Sequence, residues 1–211
     1  MLKLIKINHM KILFRIILFS TICLIGCKEN KTTSTETESS EIEENLEETK
    51  NLPDEKKYEA IDEYYKEIDA QQPGLENTTK KVDEGKFSET EIITYRKDSI
   101  PVKIIRKETL ASGSVNTSYY IKDEDLYFVH QRISNEQSAD GPYIEEELSY
   151  YLYDGEVVKV LRKQEEFATA DQVKMDTVPN NDITDEMNED KSQINEITET
   201  FRKTLQLIEG E

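Results

Sequence analysis

Apolar side chains recur along this chain at two different periods, and each period predicts a different kind of element. Between Asp54 and Ala70 they fall at Tyr58, Ile61, Tyr65 and Ile68, three, four and three residues apart, which puts one stripe along an α-helix. Pro53 ahead of the stripe and Pro73-Gly74 behind it bound the element. Ile194, Ile197, Phe201, Leu205 and Ile208 repeat the spacing and predict a second amphipathic helix from about Asp190 to Ile208. Between the helices the pattern shortens. Ile92 to Arg96, Val102 to Lys107, Thr117 to Lys122, Leu126 to Ile133, Glu147 to Tyr153 and Val157 to Arg162 are rich in Ile, Val and Tyr and bounded by Asp, Gly, Ser or Pro, so they read as six strands.

Three of the connections share one design. Tyr95-Arg96-Lys97-Asp98, Tyr120-Ile121-Lys122-Asp123 and Tyr151-Leu152-Tyr153-Asp154 each place an Asp three residues after a Tyr and just before another apolar run. An Asp-led turn joining adjacent antiparallel strands accounts for all three, and Asp154-Gly155 is the sharpest, because Gly accepts the positive φ of a type I′ hairpin. The units lie 25 and then 31 residues apart, the longer gap holding the polar loop Asn135 to Pro142. The expected fold class is therefore α+β: an antiparallel β-meander of about six strands with an N-terminal and a C-terminal amphipathic helix packed on one face. The other face is left free to stay wet, and a polar stretch from Ala168 to Asn188 precedes the closing helix.

Charge alters the picture at the other end of the chain. Four basic residues (Lys3, Lys6, Lys11, Arg15) and no acid occur in the first 27 residues, and the run from Ile16 to Gly26 is uncharged over 11 residues. Such a run spans only about half of a ~30 Å hydrocarbon core, so it reads as a signal-peptide segment and not as a permanent span. Met10 opens a tighter version of the same leader, which leaves Met1 and Met10 both open as the start. Residues 28 to 54 then hold nine acids, three Lys and only Ile42, Leu46 and Leu52 as large apolar groups, too few to offset chain entropy. The expected organisation is a leader over 1–27, an acidic disordered tether over 28–54 and a single α+β domain over 55–211.

Leu24-Ile25-Gly26-Cys27 closes the leader and resembles the lipobox of bacterial lipoproteins at all four positions. The resemblance implies that the Cys27 sulfur carries a diacylglyceryl group, that signal peptidase II cuts before it, and that Cys27 is the acylated first residue of the mature chain. Two or three acyl chains hold a protein stably at a membrane where one would not. Lys28-Glu29 resembles the signal that sends some Bacteroidota lipoproteins to the outer face of the outer membrane; the implied address is an envelope membrane, the outer one first, with the leaflet open. Asp98-Ser99-Ile100 and Asp176-Thr177-Val178 resemble the acceptor used for protein O-glycosylation in the same group. The Tyr-rich run from Tyr119 to Val129, echoed from Tyr150 to Val160, resembles bacterial secreted proteins and lipoproteins built from successive strand-turn-strand units. That likeness covers about Lys80 to Gln164 and implies a fold but no activity.

Candidate chemistry is sparse. Cys23 would leave with the leader, so a matured chain would hold no thiol beyond the lipidated one for a disulfide, a zinc site or a nucleophile. A formal charge of -18 disfavours nucleic acid, whose phosphates need clustered Lys and Arg. The acids Asp182 to Asp190 suggest calcium, but Met187 stands where an EF-hand loop needs Gly, so no metal ligand and no cofactor are assigned. His130, the only mature histidine, alternates with Leu126 and Phe128 and would share their face. No Gly-x-Ser-x-Gly elbow accompanies it, and no catalytic residue is assigned. The eleven Tyr are the remaining excess. Adjacent Tyr point to opposite faces, so one member of each pair can fill the core while others line an exposed aromatic face: Tyr119, Tyr120, Tyr127, Tyr151 and Tyr153 are the candidates.

The leading functional reading is a lipid-anchored envelope protein acting as a non-enzymatic binding module, with the membrane as one partner and a protein or glycan as the other. Two alternatives stand beside it. One is an accessory lipoprotein handling a solute or polysaccharide, the other a hydrolase with a site built from Tyr, Glu and His130. A concave pocket or a flat aromatic patch would separate them.

Overall fold

The computed structural model describes residues 52–83, 85, 89–136, 142–168 and 174–210. The leader, Cys27 and residues 28–51 of the expected tether lie outside the described residues. All described residues fall in one unit, Glu48–Glu211.

Helix α1, Asp54–Gln71, follows Pro53, whose φ of -56° leads the chain into the helix, and carries Asp54 and Glu55 in its first turn, where the helix dipole favours acids. The short 3-10 turn Gln72–Gly74 ends it. Eight strands follow: β1 (Glu76–Val82), β2 (Glu89–Lys97), β3 (Ile100–Leu110), β4 (Gly113–Lys122), β5 (Asp125–Glu136), β6 (Tyr143–Tyr153), β7 (Glu156–Phe167) and β8 (Asn181–Asp182). They form one antiparallel sheet in sequence order. A 3-10 turn at Met175–Thr177 precedes β8, and helices α2 (Thr184–Glu189) and α3 (Ser192–Glu209) close the chain.

The α+β meander is as expected, and the six anticipated segments lie within β2 to β7. The count of six is corrected to eight. Strand β1 is polar and largely exposed, so it carries no apolar alternation, and β8 contributes only two residues. The stretch anticipated as polar and irregular holds β8 and α2, because Ile183 and Met187 are buried against the sheet.

The three Asp-led turns are two-residue hairpins with positive φ at both central positions: Asp98-Ser99 (52° and 69°), Asp123-Glu124 (51° and 72°) and Asp154-Gly155 (51° and 76°). Positive φ at both positions defines the type I′ turn that matches strand twist. Each hairpin also carries a β-bulge at one fixed place, where the register shifts just after Tyr95, Tyr120 and Tyr151. The extra residues are Val102, Tyr127 and Val158, and all three join the same side of the sheet. Consequently Leu126 and Phe128, two positions apart, lie on opposite faces, which corrects the shared face expected from simple alternation.

The helices do not share a face, contrary to expectation. On one side α1 stacks Tyr65 on Phe128 at 4.2 Å between ring centroids, touches Tyr120 at 5.8 Å, and sets Tyr58 against Tyr151 at 4.6 Å. On the other, Phe201 of α3 meets Tyr119 at 5.3 Å. Tyr119 and Tyr120 are strand neighbours and point to opposite sides, so α1 and α3 cover opposite faces. The stripe of each helix specifies burial and carries no information about which face it covers.

Candidate functional site

Burial removes the exposed aromatic face anticipated from the Tyr excess. Tyr119, Tyr120, Tyr127 and Tyr151 are at most 7% exposed, and Tyr153 is half-buried beneath α1. With a helix on each side, both members of a Tyr pair are interior. Two of the phenols on the α1 side have placed partners: Tyr120 Oη donates to Asp69 Oδ1 at 2.8 Å, and Tyr64 Oη donates to the Ile121 carbonyl.

The register across the α1 face shows what these rings frame. Tyr95, Lys103, Tyr120, Phe128, Tyr151 and Lys159 pair in one row across β2 to β7. Lys103 reaches Asp69 of α1 at 2.6 Å and lies 4.8 Å from the centre of the Tyr120 ring; Lys159 stands 4.5 Å from that of Tyr58. Beyond the aromatic row, Ser118, His130, Ser149 and Leu161 pair in the next, and Asn116, Arg132, Glu147 and Lys163 in the one after.

Helix α1 covers the aromatic row, and Lys163 Nζ donates to the Met175 carbonyl at 3.1 Å, holding the segment after β7 over the last row. Between them lies a cavity of about 310 Å³. Its aromatic end is Tyr65, Tyr120, Phe128 and Tyr151; its polar end is His130, Glu147, Ser149 and Lys163, with Asp69 and Asn180 at the margins. His130 Nδ1 lies 3.2 Å from Ser149 Oγ. Burial pushes the His130 pKa below its ordinary value; Lys163 and Arg132 act in the same sense, against Glu147 and Asp69. The imidazole is therefore neutral at pH 7, with one nitrogen a donor and the other an acceptor. Glu147 approaches Lys163 at 3.8 Å and Arg132 at 4.0 Å, beyond hydrogen-bond distance.

A larger groove of about 730 Å³ runs beneath α3 on the opposite face. Within its lining Arg106 binds Glu108 at 2.9 Å and Gln131 Nε2 donates to Thr117 Oγ1 at 3.2 Å. No group of metal-ligating side chains, and no helix long and apolar enough to cross a membrane, occurs among the described residues. Asp176-Thr177 and Asp98-Ser99 are exposed, Ser99 at a hairpin tip.

The sequence singles out His130, Tyr120 and Tyr151, which line this cavity, but not Ser149 or Lys163. Ser149 is the direct partner of His130 across β5 and β6, and Lys163 lies one strand further on. Reading them together requires the register between β5 and β6, which no local signal in the sequence gives. Comparison with protein families, with curated proteins and with solved structures gave no match.

Proposed function

We propose that this chain is a lipid-anchored cell-envelope protein whose folded part is a non-enzymatic binding module for a small polar solute, held off the membrane by an acidic tether. The observation that supports the binding half is the cavity between α1, the sheet and the segment after β7, where His130, Glu147, Ser149 and Lys163 converge beside four aromatic rings. Pockets of this kind, apolar on one side with a few converging polar groups and perturbed titrating residues, are the ordinary form of a small-molecule site. The lipobox at Leu24-Ile25-Gly26-Cys27 supports the anchor. Cys27→Ser should release the protein from membranes or leave an uncleaved precursor; normal maturation and membrane fractionation would sink the anchor.

The cavity is tested by what it retains. Protein purified from its own envelope in mild detergent should release a small solute on denaturation, detectable by mass spectrometry. Ser149→Leu, which fills the polar end, should release none. Identical profiles would remove the cavity as the site. One observation favours hydrolysis as a second reading: Ser149 Oγ lies 3.2 Å from a neutral histidine able to take its proton. A fluorophosphonate probe that labels Ser149, and fails to label the His130→Gln protein, would move the function to that class.

A further inference from the structure

Resting on the cavity reading above, the geometry points to a chemical class of ligand: we propose that the cavity takes one neutral sugar ring, either a free monosaccharide or the end residue of a glycan. The charges around the cavity already have opposite partners within the protein. Asp69 is held by Lys103 at 2.6 Å, and Glu147 faces Lys163 and Arg132 at 3.8 and 4.0 Å. A charged ligand would gain no uncompensated partner, and it would have to leave its water to enter a site whose own charges sum close to zero.

Hydrogen-bonding capacity is what remains open. Among the described residues Glu147 receives no hydrogen bond, and its two ion-pair contacts are too long to use up its lone pairs. Among the described residues the one side-chain hydrogen bond of His130 is at Nδ1, and the ring lines the cavity with its other nitrogen unbonded. Ser149 can donate and accept. This set asks for a ligand that both donates and accepts at neighbouring positions, as vicinal hydroxyls do. The aromatic end of the cavity asks for something else: Tyr65 of α1 with Phe128, Tyr120 and Tyr151 of the sheet offer ring surface, which suits an apolar C–H face. A pyranose presents both surfaces on one rigid ring. At about 310 Å³ the cavity sits at the lower end of ligand pockets, room for about one such ring and not for a chain.

The test is saturation-transfer NMR on the full chain in mild detergent, with D-glucose, D-galactose, D-mannose and N-acetyl-D-glucosamine as probes, a trisaccharide ending in each, and L-lysine and L-glutamate for comparison. Saturation should pass to the ring protons of at least one sugar. A free monosaccharide as ligand gives transfer to the monomer and none to the trisaccharide; a glycan end gives transfer to the terminal ring of both. Glu147→Gln and His130→Gln should each weaken binding at least tenfold, and Arg202→Ala on the far side of α3 should leave it within twofold. Ser149→Ala, which removes one hydroxyl and uncovers no charge, replaces Glu147→Gln if that protein does not melt cooperatively. Transfer that persists unchanged in these variants overturns the site. Transfer to lysine or glutamate alone, lost in Glu147→Gln, overturns the sugar and leaves the cavity standing. Silence from every probe overturns the sugar if the native protein still retains a solute, and overturns both proposals if it retains none.

Discussion

The two faces of one sheet are built from different materials. Beneath α3 the buried cluster is mostly aliphatic, with two phenols, Tyr119 and Tyr150, among its members: Ile92, Ile104, Val129, Leu148, Leu152 and Val160 of the sheet meet Ile197 and Phe201, beside the polar-lined groove. Beneath α1 it is phenolic and ionic: Tyr120, Tyr127, Phe128 and Tyr151 meet Tyr58, Tyr64 and Tyr65, with lysines over the ring faces at the margin. Hydrocarbon packing is non-directional and satisfied by volume, whereas each phenol and carboxylate needs a placed partner. The two sides should therefore fail differently, the α3 core through lost volume and the α1 side through lost partners.

The largest effect should come from breaking the hydrocarbon side. Phe201 is 7% exposed against Tyr119, and Phe201→Ala should cost on the order of 3–5 kcal/mol in urea unfolding. Lys203, whose side chain is 61% exposed on the same helix, should change stability by less than ~0.5 kcal/mol when cut to Ala. Equal, small effects from both would mean that α3 does not support the sheet.

Alkali should separate the faces next. Burial, with nearby acids and phenols, pushes Tyr64, Tyr65 and Tyr127 on the α1 side up to about 12 from an ordinary 10, and Tyr120 and Tyr151 are raised as well. On the α3 side Tyr150 is raised by burial. The unfolded chain loses these protons near pH 10 while the folded chain keeps them to about 12, so the folded state holds more protons in that window. Stability is then complete below pH 10 and falls as pH climbs through 12. Amide exchange followed across this range should open α1 before α3; the reverse order would contradict the contrast between the faces.

Much of this division was legible in the residues, and the illegible part has a physical cause. The hairpins could be read because a type I′ turn is a local event, signalled within four residues by Tyr-x-x-Asp. Tyr-Tyr pairs had to split between faces for the same local reason. The bulges after Tyr95, Tyr120 and Tyr151 could not be read, since an extra residue shows only against its partner strand, and they decide that Tyr127 joins Phe128. The stripe of α1 tells that it is buried but leaves the choice of face open, so a sheet side left free to stay wet is in fact covered. Of the cavity, Tyr120, Tyr151 and His130, one of two histidines in the chain, stand out; Ser149, Glu147 and Lys163 come to it from two later strands through tertiary register alone.

A smaller test contrasts two neighbouring acids. Glu145 is fully buried on the α1 side, bonded by Ser134 Oγ at 2.7 Å and by Arg132 Nε, whereas Glu146 lines the groove on the α3 side. Hydrogen bonds to a charged group contribute about 1.5–3 kcal/mol against about 1 for neutral ones. Glu145→Gln should therefore cost about 1–3 kcal/mol, and Glu146→Gln less than about 0.5. Matching costs in urea would erase the distinction between a partnered interior charge and a groove-side one.

The smallest effect concerns the turns that set the faces. Three hairpins adopt the same backbone, yet only one has Gly at its second position. Glu124 holds φ 72° and Gly155 φ 76°, a region in which a side chain crowds the backbone by roughly 1–2 kcal/mol. Glycine costs more entropy on folding, about 0.5–1 kcal/mol, so the two terms oppose each other and the conformational one prevails. Glu124→Gly should thus raise stability by about 0.5–1 kcal/mol, and Gly155→Ala should lower it by a similar amount. Glu124 is exposed, so the change touches no packing on either face, and Tyr127 and Phe128 keep their places beneath α1. A thermal midpoint that rises for the first substitution and falls for the second fits one turn geometry repeated three times. If Glu124→Gly instead destabilised the domain, its turn would not share the geometry of Asp154-Gly155, and the placement of the following bulge would need another cause.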